Sequence, residues 1–455
     1  MTHDGNGAAA SPRRATAASF IGTALEHYDF LLYGYVAALA FGQLFFPAGD
    51  QAVSTIASFA VFAVGFVARP LGAIVAGHFG DRVGRRSVLI ATLLMAGIAT
   101  ALMGLLPTYA AIGIWAPIAL VTLRLVQGFA YGGEVAGAVL MATEHAPRNR
   151  RGLYGAFVPA AAPAGLLLAT IAVLVVSMLD PDAFMSWGWR IPFLLSLVLV
   201  IVGLYMRVNV AETPSFTHLQ TERGSVNRPL VELFRRHTKV LLLASGVGFG
   251  FYVIFYVLLV FIASYTTAEL GMPASVTLTG IAVGSVITFV GAPIVGALSD
   301  RIGRRLPIIT GAGLLALYVF PFFALINTAV PGLVILAYAI AFLLLAIYFG
   351  PITTFAAELF PTQVRYSAGA LAAQIGAVLG GGLAPLISTL IMTAAGGEWW
   401  PVAVYISLSL LLSVVCTLVL RETNGTDMDS ASEARVESAE AAETSQTSET
   451  SSTNA

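Results

Sequence analysis

Glu26, Asp29, Arg69, Arg124 and Glu134 stand inside stretches of chain that are otherwise almost wholly apolar. An ionised group at the middle of a bilayer costs several kcal/mol unless it is paired or hydrated, so each is a candidate for function. Two kinds of chemistry are open to them. A carboxyl group held away from water keeps its proton more tightly, and a neighbouring arginine loosens that hold, so a buried acid whose partner moves can load and release a proton. A buried guanidinium can hold a carboxylate through paired N–H donors. Asp29, Glu26 and Glu134 are therefore candidate proton carriers, with Asp29 preferred. Arg124 either tunes that acid or contacts an anionic substrate, and Arg69 is a second candidate contact. A fixed ion-pair cluster holding three helices together is the alternative for the same residues.

These side chains need helices to set their depth. At 1.5 Å rise per residue, Glu26 and Asp29 fall roughly 13–18 Å, and Arg69 and Glu134 roughly 12–15 Å, from one membrane face, with Arg124 about 20 Å from the other. No comparable charge occurs inside the apolar stretches of the second half. That half offers Phe249, Phe251, Tyr252, Phe255 and Tyr256 in one stretch, where four-residue spacing sets Tyr252 and Tyr256 on one helix face. Gln374 is a candidate for bonding to substrate because a buried amide needs a partner; a bond between helices would satisfy it equally. Arg124, Tyr28, Arg69, Tyr252, Tyr256 and Gln374 together form the candidate substrate contacts. For the aromatic residues plain packing is the competing role. His27 is positioned to share a proton relay, whereas His78 and His145 fall near a membrane surface.

The elements follow from hydropathy. The chain has 455 residues, 58% hydrophobic and 10% charged, against about 25% charged in soluble domains. A membrane helix takes about 20 mostly apolar residues. Runs of that size predict an all-α membrane protein of 12 transmembrane helices, six over 18–208 and six over 239–420. Residues 1–17 form a polar tail without the pattern of a cleavable signal peptide, and 209–238 form a polar linker. Residues 421–455 form an acidic tail too poor in apolar residues to bury a core, hence expected to be disordered. Cys416 is the only cysteine, the histidines lack zinc-site spacing, and the sole lysine, Lys239, lies in no phosphate-binding glycine loop. No metal or cofactor, no ATP-driven pump and no nucleic-acid partner is expected. Fourteen arginines, among them Arg82, Arg148, Arg235, Arg301 and Arg365, fall in connections on one side of the membrane, while the other side offers only Arg190. Positive charge is retained inside, so both termini are expected to be cytoplasmic.

A decapeptide repeats within this frame. Gly77 to Arg86 reads Gly-His-Phe-Gly-Asp-Arg-Val-Gly-Arg-Arg, and Gly296 to Arg305 reads Gly-Ala-Leu-Ser-Asp-Arg-Ile-Gly-Arg-Arg. The offset is 219 residues; Glu144, Pro147 and Arg151 return as Glu358, Pro361 and Arg365 at 214, and Glu212-Thr213 as Glu422-Thr423 at 210. Three markers with slowly drifting offsets imply two parallel six-helix halves with a substrate site between them. Glycines allow the loop to turn tightly, its aspartate can accept from backbone donors at a helix end, and its arginines hold the anionic membrane surface. Asp81, Arg82, Gly84 and Arg85, with Asp300, Arg301, Gly303 and Arg304, are thus expected to form a conformational latch, the alternative being a plain topogenic turn.

The doubled loop resembles the signature of the major facilitator superfamily, and Arg124-Leu125-Val126-Gln127-Gly128 resembles its fourth-helix motif. Glu26-His27-Tyr28-Asp29-Phe30, Arg69-Pro70-Leu71-Gly72, Gly132-Gly133-Glu134, Glu212-Thr213-Pro214 and Glu358-Leu359-Phe360-Pro361-Thr362 are similar to its metabolite:proton symporters. In the first of these, His27 stands where relatives often carry tryptophan. The resemblance implies a secondary transporter of the inner membrane that works by alternating access, most naturally importing an organic acid with protons and functioning as a monomer. Uptake of zwitterions such as proline or betaine, and proton-driven export, are the alternatives within the fold. An enzyme would need a soluble catalytic loop or a metal cluster, and a nutrient sensor a signalling domain longer than the acidic tail.

Overall fold

The computed structural model describes residues 12–47, 50–83, 85–132, 153, 156, 160–208 and 229–425; side chains are described outside 12–19, 77–83, 85–87, 89, 206–208, 229–232, 362–363 and 365–367. Within these residues every regular element is helical. The first half holds α1 (Pro12–Val36), α2 (Gln51–Val83), α3 (Arg85–Leu105), α4 (Trp115–Gly132), α5 (Ala161–Ser177) and α6 (Arg190–Val208). The second holds α7 (Thr238–Tyr256), α8 (Ala274–Ile302), α9 (Arg305–Ile326), α10 (Pro331–Glu358), α11 (Thr362–Gly376) and α12 (Trp400–Val419). Helices α1, α7 and α11 each pass into a wider π-turn, at Ala37–Phe41, Val257–Phe261 and Ala377–Gly382, and then resume. The segment before α7 includes a short helix, Pro229–Arg236.

Seven described stretches are long and apolar enough to span a membrane on their own. The remaining helices fall short for local reasons. Glu26 and Asp29 lower the hydropathy of α1, the apolar parts of α3 and α5 are only Ile90–Leu105 and Ala161–Ser177, and α6 joins Pro181–Gly188 at a 44° bend. Helix α4 meets undescribed residues at Gly133.

The packing repeats with a period of six helices. Helix α1 packs on α5 as α7 packs on α11; α2 on α4 as α8 on α10; α3 on α6 as α9 on α12. The halves meet along α5 against α8, α2 against α11, and α1 against α7. Close approach of α2 and α4 depends on glycine. A Cβ at Gly128 would lie 2.0 Å from the carbonyl oxygen of Gly65, and one at Gly132 would lie 1.9 Å from that of Arg69. With the backbones in contact at these two pairs, the helices stand close enough for the side chains of Arg69 and Arg124 both to reach Phe30.

Candidate functional site

Arg124 is fully buried and Arg69 nearly so. Each guanidinium is enclosed by aromatic rings. Arg69 Cζ lies 3.7 Å from the Phe30 ring centre, 4.2 Å from Phe66 and 4.2 Å from Tyr131. Arg124 Cζ lies 3.9 Å from Phe30, 4.3 Å from Tyr33 and 5.1 Å from Phe62. Both cations thus share Phe30, and their centres are at most the sum of those two distances apart. Arg69 also interacts with the Tyr256 hydroxyl of α7, and Phe66 stands edge-on to Tyr256 at 5.1 Å. Arg69 therefore faces the second half across the interface between the bundles, while the rings around Arg124 all come from the first half.

Neither guanidinium forms an ion pair with a carboxylate among the described residues, and Nε and Nη2 of both lack hydrogen-bond partners there. A desolvated cation–π contact is worth about 0.5–2 kcal/mol. Burial of a charge costs several kcal/mol, and each unmade bond to a charged group forfeits about 1.5–3 kcal/mol more. The rings offset part of that cost and leave four N–H-bearing nitrogens without hydrogen-bond partners among the described residues.

Asp29 faces the other way. Its carboxylate Oδ1 accepts from the Ser196 hydroxyl of α6 at 2.5 Å, and a Cβ at Gly97 of α3 would stand 3.7 Å from Oδ2. Asp29 and Arg124 form no ion pair among the described residues. Gln127 intervenes: its Oε1 accepts from Arg124 Nη1, and its Nε2 donates to the Asp29 backbone carbonyl at 3.1 Å and to Thr100 Oγ1 at 2.7 Å. Residues 29 and 30, being neighbours on one helix, project about 100° apart, so that Asp29 reaches Ser196 while Phe30 meets the two guanidiniums.

The other expected residues divide between chamber and surroundings. Tyr256 packs on Phe62 and Phe66 beside Arg69, and Tyr252 stands one turn before it on α7. Tyr28 turns elsewhere: its hydroxyl donates to the Pro192 carbonyl of α6 at 2.7 Å. Gln374 is buried on α11 with its Oε1 unpartnered, on the helix whose Gly381 meets Tyr256. Glu26 is buried on α1, while Glu134 lies outside the described residues. His27 Nδ1 donates to the Thr23 carbonyl at 2.8 Å, leaving Nε2 as the acceptor of the neutral ring, which packs on Tyr131. Sequence reading missed Ser196, Thr100, Phe62, Phe66 and Tyr131, and it treated Gln127 only as part of a motif.

The second basic loop forms a compact polar cluster. Arg304 contacts Asp300 at 2.8 Å and Glu358 at 3.2 Å, and it donates to Ser299 Oγ. Gly303 has φ 91°, and a Cβ there would meet Glu422 Oε2 at 2.7 Å. The Glu422 carboxylate accepts from the backbone N–H groups of Arg304 and Arg305. Asp300 Oδ2 accepts from the Leu153 N–H across the two halves at 3.3 Å. Arg301 is exposed. In the first loop, Asp81, Arg82 and Arg85 lie in helices whose side chains there are not described, and Gly84 lies outside the described residues. At the opposite end, α2, α7 and α11 converge around a cleft of ≈ 90 Å³ lined by Gln51, Thr55, Tyr265, Glu269 and Thr389.

Two six-helix bundles related by a parallel repeat, enclosing buried charge at their interface, define a membrane transporter and not an enzyme. The chain belongs to the Major Facilitator Superfamily, which it matches over residues 19–378. It is 39% identical over 419 residues to the inner membrane metabolite transport protein YhjE of Escherichia coli (strain K12), covering 91% of this chain and 95% of that one. It is also 39% identical to the shikimate transporter of the same organism, over 90% and 95% of the two chains. The proline/betaine transporter of Salmonella typhimurium is 36% identical over 93% of this chain and 86% of its own. Among solved structures, a D-xylose–proton symporter superposes with TM-score 0.71 at 19% identity, over 91% of this chain and 99% of that one. That likeness concerns the fold alone.

Proposed function

We propose that the protein imports a small organic acid together with one or more protons by alternating access, with both termini in the cytoplasm. The observation that carries this reading is the pair of buried guanidiniums with unpartnered N–H groups and no described carboxylate partner. A substrate carboxylate supplies what they lack, through charge-assisted bonds to Nε and Nη2 of Arg124 and Arg69. Tyr252, Tyr256 and Gln374 complete the chamber from the second half. Asp29, with Glu26 and Glu134 as the other candidate carriers, takes up the proton. The loop cluster around Asp300 and Arg304 acts as the latch that opens and closes with the cycle. The relationship to a shikimate transporter supports a hydroxylated or ring-bearing acid.

A second reading, uptake of a zwitterion such as proline or betaine, is favoured by the aromatic walls, whose faces suit a quaternary ammonium, and by the relationship to proline/betaine carriers. The test is uptake into proteoliposomes under an imposed inward proton gradient, with shikimate, succinate, benzoate and glycine betaine as probes. Accumulation of a carboxylic acid that collapses with a protonophore is expected. Accumulation of betaine alone selects the second reading. Gradient-independent uptake of every probe, or efflux of lipophilic cations, overturns symport.

A further inference from the structure

Gln127 is the one described side chain hydrogen-bonded both to a chamber arginine and to the residue that bears the buried carboxylate. Its geometry leaves no choice of orientation. The two hydrogens of Nε2 meet two acceptors, the Asp29 carbonyl and Thr100 Oγ1, whose own hydrogen goes to the Ala96 carbonyl at 2.8 Å. Oε1 meets a donor on Arg124. Turning the amide over would set oxygen against oxygen and N–H against N–H, so the network fixes it. Asp29 is consequently held at two points from two helices: by its carbonyl from Gln127 on α4, and by its carboxylate from Ser196 on α6. The carboxylate and the anion-facing guanidinium make no direct contact.

We propose that Gln127 is the positioning residue that couples the proton step to the substrate step. The inference rests on the organic-acid symport reading and deepens it. An anion arriving on Nε and Nη2 of Arg124 redraws the guanidinium toward the chamber and pulls on the Nη1–Oε1 bond. Gln127 passes that displacement to the α1 backbone at Asp29 and so alters the carboxylate's seat against Ser196. Protonation of Asp29 acts through the same amide in the opposite direction, as reciprocity between linked sites demands. Thr100 serves as the fixed point against which the amide turns.

The test compares wild-type protein, Gln127→Leu and Thr100→Val in proteoliposomes, using whichever carboxylate of the four-probe panel the wild type accumulates. Two quantities are read: accumulation under a proton gradient, and exchange of labelled for unlabelled substrate at equal pH. For Gln127→Leu, accumulation is expected to fall by about tenfold or more while exchange falls by no more than about threefold, and the pH dependence of uptake flattens. Thr100→Val keeps side-chain volume and removes one acceptor, so the same imbalance is expected at smaller size; it also carries the test if the leucine variant does not fold. Accumulation and exchange falling in equal proportion, or neither changing, overturns the coupling role and leaves symport standing. A wild type that accumulates none of the carboxylates overturns both.

Discussion

At the scale of single residues, Phe30 touches two like charges, and on the proposed reading the two arginines receive the substrate anion. Arg124→Lys keeps the charge and loses the planar fork. Loss of one charge-assisted bond of about 1.5–3 kcal/mol predicts a KM for the transported acid raised about 10- to 100-fold, measured by initial uptake rates. Asp29→Asn is expected to retain measurable exchange and to lose accumulation against a gradient; full accumulation by that variant would transfer the proton role to Glu26 or Glu134. The burial of the arginines and Asp29 was legible in the sequence, because each stands in an apolar run of membrane length. Ser196 was not, since a lone serine in a membrane helix usually bonds its own preceding turn, as Thr100 does here. Nor was the direction of Tyr28, because sequence gives depth along a helix while the neighbours decide which face looks inward.

At the scale of elements, the backbone contact of α2 with α4 brings the helices that carry both arginines close together. Gly132→Val places a branched side chain against the Arg69 carbonyl, where even a Cβ stands at 1.9 Å. Overpacking of this kind costs about 1–3 kcal/mol. A lower unfolding temperature in detergent, together with a raised KM, is expected; normal values for both would show that the helices part without disturbing the chamber. The order of the described helices could be read from hydropathy, and their six-helix periodicity from the repeated loops. The π-turns of α1, α7 and α11 could not, because one extra residue in a turn leaves composition unchanged. The contact of Glu422 with the second loop was equally hidden: a glutamate beyond the last span looks like the start of a solvated tail until its partners are brought close.

At the scale of the whole molecule, that glutamate ties the end of α12 to the loop between α8 and α9. Partial burial would raise the Glu422 acid range, and the backbone N–H groups of Arg304, Arg305, Asn424 and Thr423 outweigh it, holding the group below the ordinary range. A depressed value stabilises the fold at pH above the unfolded carboxylate range and loses that contribution as pH falls through the folded one. The unfolding temperature of Glu422→Gln is therefore expected to lie below wild type at neutral pH, with the gap closing below about pH 4; a gap independent of pH would remove the charge from the account. A last consequence comes from the arginines that lack a carboxylate partner among the described residues, and it concerns the membrane potential. Each elementary charge moved through 100 mV is worth about 2.3 kcal/mol, so the net charge of the moving site decides which gradient drives it. A monocarboxylate adds one negative charge to the chamber, and a proton on Asp29 cancels one. The loaded and empty sites then carry equal charge, and the electric field does no net work over the cycle. Uptake of such an acid is expected to follow the pH difference and to ignore a potassium diffusion potential set with valinomycin, whereas a dicarboxylate carried with one proton would be opposed by a negative interior.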